Sequence, residues 1–298
     1  MVDALVWEVN GNRTIVTISF EPSGSCFVVF RNKISTLKKV YKNLRINGKP
    51  VNLFYYLAYQ NGQAHTRLNE PGSYELISQS GKSTIVKHDD PVEKIMLNED
   101  WTIRFQANRG APAQAHFDKL FSWSEHSETG IKYFSGKAIY SKTFQLNQKQ
   151  LSSGKRIFLD LGRVKNVATV IVNQKEVRVM WKPPFTLDIT DFCEEGNNML
   201  EVEVTNLWPN RIIGDKSEPD DCVWGPVREF EYAKPNPKIG RNLQLVPDWV
   251  KNHTERPSKN RITFCTMDYS FFEKNTPLLP SGLIGPVQLS IEDIWKLR

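Results

Sequence analysis

The sequence predicts an all-β protein, a jelly-roll β-sandwich preceded by a smaller β-rich segment. Three observations carry this. Between Ile157 and Thr190 the chain reads as strand, loop, strand, tight turn, strand, aromatic-proline loop, strand. Leu200, Val202 and Val204 alternate with Glu201 and Glu203, the period of a half-buried strand. Helical periodicity is almost absent elsewhere.

From the N-terminus, residues 4–31 carry three short strand signals. Leu5-Val6-Trp7 precedes an Asn10-Gly11 turn, Ile15, Ile18 and Phe20 follow, and Cys26-Phe27-Val28-Val29-Phe30 comes after Pro22-Ser23-Gly24. Three such strands bury little alone, so residues 1–34 read as the tail of a sandwich that packs against something else. From Ser35 to Arg45, Leu37, Val40, Tyr41 and Leu44 follow helical spacing with lysines between them. That spacing predicts a basic amphipathic helix, about three turns long. A solvated surface helix or linker is the reading that fits so short a stretch. Residues 72–77 and 83–86 flank Ser80-Gly81-Lys82 and predict a hairpin. Asp89-Asp90-Pro91 then punctuates the chain and divides it into 1–34, 35–91 and 92–298.

In the third unit, Trp101-Thr102-Ile103-Arg104-Phe105 is a strand, Gly110-Ala111-Pro112 breaks it, and residues 138–144 form another. Residues 167–172 are nearly all β-branched or small, and Asn173-Gln174 joins them to the next run as a hairpin. Trp181-Lys182-Pro183-Pro184-Phe185 cannot continue a ladder, because the prolines lack donors. Phe185, Leu187 and Ile189 then alternate inward. Residues 208–282 are rich in Pro, Asn, Asp and Gly, and long loops of this kind are functional or pack over the surface. Residues 287–291 close the chain with a clean alternating strand.

A length of 298 residues gives room for a large core without disulfide staples. Apolar residues at 40% and charged residues at 24% describe an ordinary globular protein. Lysine plus arginine exceeds aspartate plus glutamate by 39 − 33 = 6, spread along the chain, so no nucleic-acid footprint emerges. Cys26, Cys193, Cys222 and Cys265 lie far apart without C-x-x-C spacing, which argues against zinc and for buried free thiols. No apolar run is long enough to span a bilayer, and Met1-Val2-Asp3 does not open a signal peptide.

Several runs together resemble a known family: FDKLFSWSEHSETGIKYFSGKAIYSKTF, LDLGRVKNVATVIVNQKEV, WKPPFTLDIT, NMLEVEVTNLWPNRIIGD and LLPSGLIGPVQL. Residues 101–291 resemble the galactose-binding-like jelly roll that serves as the sugar-binding domain of family 2 glycoside hydrolases. The likeness is greatest to the C-terminal part of family 106 α-L-rhamnosidases. In that family the catalytic carboxylates and a calcium lie in an upstream (β/α)₈ barrel. This chain shows no alternation of strand and helix. The resemblance therefore implies a glycosidase's non-catalytic accessory region. Its partners would be carbohydrate and a catalytic barrel, and its setting outside the cytoplasm.

Glycoside hydrolysis needs two carboxyl groups facing across the scissile bond, whereas Glu201 and Glu203 point away from the inferred core. Trp123, Glu125 and His126 place polar groups beside a ring, as a sugar contact or as an ordinary hydrogen-bonded loop. Trp181 and Phe185, with Lys182 and Asp188, offer stacking and hydrogen bonding, or else the rings seal the end of the sandwich. Arg211 can clamp a hydroxyl or carboxylate or form a structural ion pair, and Trp224 adds a further ring. Asp215, Asp220 and Asp221, with Glu218, are hard oxygen donors suited to calcium, or simply a solvated acidic loop. Three readings remain: a carbohydrate-binding accessory region, a structural module docked on a barrel, and an autonomous glycosidase using loop carboxylates.

Overall fold

The computed structural model describes residues 8–16, 27–30, 41–51, 56–60, 63–78, 80–230, 238–265, 267–269 and 272–297. Two six-membered β layers form its body. The first runs, in spatial order, Gln114–Lys119, Glu99–Phe105, Lys137–Leu146, Gly196–Thr205, Val167–Val172 and Lys175–Met180. The second is Thr186–Asp188, Lys155–Asp160, Gln288–Lys296, Gln63–Leu68 and Leu57–Gln60, with Glu93–Met96 also paired to Gln288–Lys296.

Register explains why the first layer has one dry face. Ile103 pairs with Tyr140, Tyr140 with Val202, and Val202 with Val170, and all four side chains are fully buried. They meet Ile157, Leu159, Leu289 and Ile291 of the second layer in one core cluster. Each such side chain contributes about 1.5–3 kcal/mol through apolar burial. The residues between them face water and pair by charge. Arg104 donates to Glu201 at 2.9 Å and Lys137 donates to Glu203 at 2.8 Å. Glu201 and Glu203 are thus outer-face residues, as the alternation predicts.

The Asn173-Gln174 turn joins Val167–Val172 to Lys175–Met180 with both residues at positive φ, 50° and 65°. Two left-handed residues match the twist of a two-residue hairpin. Asn173 also donates to the Phe192 carbonyl and accepts from the Met199 amide, which ties the turn to its neighbours. Gly282, at φ 91°, lies against Tyr140 and Trp123 so closely that a Cβ there would sit 2.6 Å from the tyrosine oxygen. That oxygen accepts the Leu283 amide at 3.0 Å, which pins the closing segment into the core.

Elsewhere the structure differs from the sequence expectation. Residues 35–40 lie outside the described residues, but Tyr41–Ile46 is a strand, not the end of a helix. Tyr41, Leu44 and Ile46 are its buried positions, and the register shifts between Tyr41 and Asn43. A bulge inserts one residue, so apolar spacing of three arises in a strand and mimics helix. At the N-terminus, Glu8–Asn10 pairs with Arg13–Ile15 around the Asn10-Gly11 turn, whereas residues 27–30 form no strand and are exposed. Leu5-Val6-Trp7, Ile18, Phe20 and Cys26 fall outside the described residues. Cys193, Cys222 and Cys265 are free thiols. Burial pushes Cys193 up to about 12, with the nearby Asp188 charge adding to it, but Cys265 is an exposed residue rather than a buried one. Strand Gln288–Lys296 pairs with both Glu93–Met96 and Gln63–Leu68, so one sheet runs across Pro91. The irregular stretch 208–282 holds short helices, Pro209–Asp215 and Asp248–Lys251, and a small sheet of Arg228–Phe230, Lys238–Asn242 and Met267–Tyr269.

Candidate functional site

Helix Pro209–Asp215 opens with proline in its first turn, where no amide bond is lost. It buries its polar residues rather than its apolar ones alone, because each has a loop to hold. Asn210 donates to the Leu279 carbonyl at 2.7 Å and accepts from the Leu279 amide at 2.8 Å. Arg211 and Asp215 form an ion pair at 2.9 Å, one turn apart. The other Asp215 oxygen accepts from the Thr263 amide and hydroxyl, both at 2.6 Å, and from the Ile262 amide at 3.1 Å. Below this strap, Arg256 grips Asp221 through Nε and Nη2 at 2.6 and 3.1 Å. The Nη1 of Arg256 donates to the carbonyls of Arg261 and Thr263.

A cleft of about 450 Å³ opens between this loop and the small sheet. Its floor is a charged network. Asp268 accepts from Arg241 Nε at 2.8 Å and from Lys216. Asp220 accepts from Trp224 Nε1 and from Arg241 Nη2, each at 2.9 Å. Arg241 lies 5.1 Å over the Trp224 ring, and Arg261 lines the cleft beside Asp220. Burial raises the pKa of Asp268, yet its hydrogen bonds and charge contacts with Lys216 and Arg241 outweigh this and leave it below the usual carboxylate value. Asp221 is likewise raised by burial and lowered further by Arg256, Cys222 and Arg261, with a net depression. Both are fixed as anions that accept hydrogen bonds. A glycosidase's general acid needs the opposite, a raised pKa. The cleft lining offers a mixed set of hydrogen-bond donors and acceptors.

The residues singled out from the sequence divide among different places. Trp123 is a core ring, stacked 6.0 Å from Tyr140 and edge-on to Phe134 at 5.3 Å, so it is no sugar platform. Phe185 is also buried in that core. Glu125 is exposed in the turn Trp123–Glu125. His126 stacks on Phe117 and Phe121, and its Nδ1 accepts from the Glu128 amide. Trp181 stands 69% exposed with Lys182 Nζ 5.7 Å from its ring. Arg211 is buried in its ion pair, while Asp220 lines the cleft and accepts from Trp224 Nε1.

Asp215, Asp220 and Asp221 do not fit calcium. Each carboxylate faces a different arginine instead of a shared point, so a cation would have to displace them. Among the described residues, the group of three metal-capable side chains brought within ligand distance is Asp100, His116 and Asp118, all exposed. Lys216, Arg241, Arg261 and Asp268 had no sequence signal. Arg241 and Asp268 sit on strands too short for an alternation to register.

Residues 122–249 match the family model described as glycosyl hydrolase 2 galactose-binding domain-like. A protein of Formosa agariphila, named for an inferred β-glucuronidase activity, is 36% identical over 286 residues, 94% of this chain and 22% of its own length. The structure of a rhamnosidase from Novosphingobium sp. PP1Y superimposes with a TM-score of 0.50 and 25% identity, over 85% of this chain and 25% of that one. A β-D-glucuronidase from Dictyoglomus thermophilum aligns at a TM-score of 0.42 and 16% identity, over 70% of this chain and 29% of that one. The chain thus spans about a fifth to a quarter of the length of the Formosa relative and the rhamnosidase. The family match is to the family 2 model, the broader of the two resemblances in the sequence. Residues 122–249 are thus similar to a galactose-binding-like domain of the glycosyl hydrolase 2 type.

Proposed function

We propose that this chain is a non-catalytic accessory region of an α-L-rhamnosidase-like glycoside hydrolase, and that it holds carbohydrate for a catalytic domain. The observation that carries the reading is the likeness to the Novosphingobium rhamnosidase, which extends over 85% of this chain but only 25% of that one. Two features support the binding role. The cleft presents Asp220, Arg241 and Asp268 in fixed orientations, the Trp224 ring packs against Arg241 and donates to Asp220, and Trp181 offers a second ring to solvent. An aromatic face with convergent polar groups is the usual composition of a small-ligand site. Such a region acts with its enzyme on plant or microbial polysaccharide outside the cytoplasm.

Titrating rhamnose and rhamnose-containing oligosaccharides against tryptophan fluorescence tests this. Binding that weakens in Trp224→Ala or Trp181→Ala supports it, and no response from any saccharide removes it. Turnover of aryl rhamnosides or galactosides by the chain alone, abolished by a carboxylate substitution, would instead establish an autonomous glycosidase.

A docking role is the second reading, favoured by one observation. Phe27, Val28, Val29 and Phe30 form a continuous exposed apolar run, with Phe27 99% accessible. Exposed apolar patches of this sort mark contact surfaces. Co-purification with a separately expressed catalytic barrel, lost in Phe27→Ser/Phe30→Ser, is the outcome this reading expects.

A further inference from the structure

On the outer face of the first layer, carboxylates are matched by cations on neighbouring strands. Arg104 meets Glu201, and Lys137 meets Glu203. The edge of that layer departs from this pattern. Strand Gln114–Lys119 pairs antiparallel with Glu99–Phe105, with Glu99 opposite Lys119 and Trp101 opposite Phe117, so Asp100 stands across from Asp118. Like charges directly opposite each other destabilise a strand pair. Among the described residues, neither carboxylate has a lysine or arginine within ion-pair distance. What both meet is His116, whose Nε2 lies 3.3 Å from Asp118 and 3.8 Å from Asp100. The backbone beneath is fixed: Trp101 and Phe117 are buried in the core, and Trp101 Nε1 donates to the Leu97 carbonyl at 2.7 Å.

We propose that Asp100, His116 and Asp118 form a surface site for a divalent transition ion of the zinc type, which fastens the edge strand to its neighbour. One ligand atom from each side chain already lies within 4.8 Å of the other two. A tetrahedral ion with bonds of about 2.0–2.2 Å holds its ligand atoms about 3.4 Å apart. His116 and Asp118 have that spacing, and Asp100, being exposed, can rotate to close the rest. Two carboxylates and a neutral imidazole balance a dication. The imidazole sets the choice of ion, because calcium and magnesium take six or more oxygens. Three protein ligands leave the fourth position to water or to an oxygen of a bound molecule. The site shares no residue with the cleft and does not depend on the carbohydrate reading.

Calorimetric titration of the whole chain, stripped of metal, with zinc chloride tests it, with calcium chloride and magnesium chloride as controls. Zinc should bind at least about tenfold more tightly than either. His116→Ala should abolish that binding, whereas His253→Ala, which removes another exposed histidine, should leave it intact. Asp100→Asn and Asp118→Asn should each weaken zinc by about tenfold or more. All three side chains are exposed, so without metal these variants should melt at the parent's temperature or, with the repulsion gone, slightly above it. Zinc should raise the melting temperature of the parent and not of the variants. No zinc binding, or zinc binding that survives His116→Ala, overturns the proposal. Equal affinity for calcium also overturns it, since that marks a solvated acidic patch. So does a loss confined to His116→Ala with both asparagine variants unaffected, because one adventitious imidazole contact then suffices.

Discussion

Asp215 is almost fully buried, yet it accepts from two backbone amides and a hydroxyl while paired to Arg211. Removing its charge leaves the guanidinium of Arg211 buried without a counter-ion, so Asp215→Asn should cost about 3–5 kcal/mol in urea unfolding. Tyr140 is a second residue whose polar atom decides its worth. Burial pushes its phenol far above the ordinary value, so the O–H stays neutral and accepts from the Leu283 amide. Tyr140→Phe keeps the ring packing but orphans that amide, with an expected loss of about 1–3 kcal/mol. Gln174 works the other way. It holds a left-handed φ of 65° where glycine is relaxed, so Gln174→Gly should leave stability unchanged or raise it by up to about 1 kcal/mol in the same measurement.

At the scale of elements, Gly196–Thr205 separates two kinds of contribution along one strand. Val202 is fully buried, and Val202→Ala should destabilise by about 2 kcal/mol. Next to it, Glu203 pairs with a Lys137 that is more than half exposed, so Glu203→Gln should change stability by less than about 1 kcal/mol. Thermal melts of the two variants in parallel check the contrast. This alternation is also why the sandwich was legible in the sequence. The alternation at 200–204 coincides with a strand because one of its faces is dry and the other wet, and the β-branched run at 167–172 is a strand with every second residue buried. Tyr41–Ile46 was misread because a bulge breaks that period locally. The cleft was only half legible. Asp220 and Trp224 stood out as residue types, but their partners Arg241 and Asp268 lie 21 and 48 positions from Asp220, on short strands that carry no pattern. Trp123 misled for a related reason: composition marks a tryptophan in a loop, and only the fold shows its ring turned inward beneath Gly282.

The whole molecule joins a sandwich held by apolar packing to a loop region, 208–282, held largely by ion pairs. The two should respond differently to acid. Asp221 and Asp268 have folded-state pKa values below the ordinary carboxylate value of about 4 that they regain on unfolding. The unfolded chain therefore binds more protons in that interval, and stability rises with pH across it. Their contribution is complete above the unfolded value and drains away as pH falls through the folded ones. The sandwich carries carboxylate pairs of its own, Arg67 with Glu292 and Arg156 with Asp188, but its central cluster is apolar. Between pH 7 and pH 3 the urea midpoint should fall, and Trp224 and Trp249, which lie against Arg241 and Arg256, should report loosening by fluorescence before far-UV circular dichroism changes. Asp268→Asn should be less stable than the parent at pH 7 and show a shallower decline toward pH 3, because it has one fewer depressed group to protonate. Parallel declines for parent and variant would mean that the acid response arises in the sandwich, and that the ion pairs around the cleft do not hold the loop region in place.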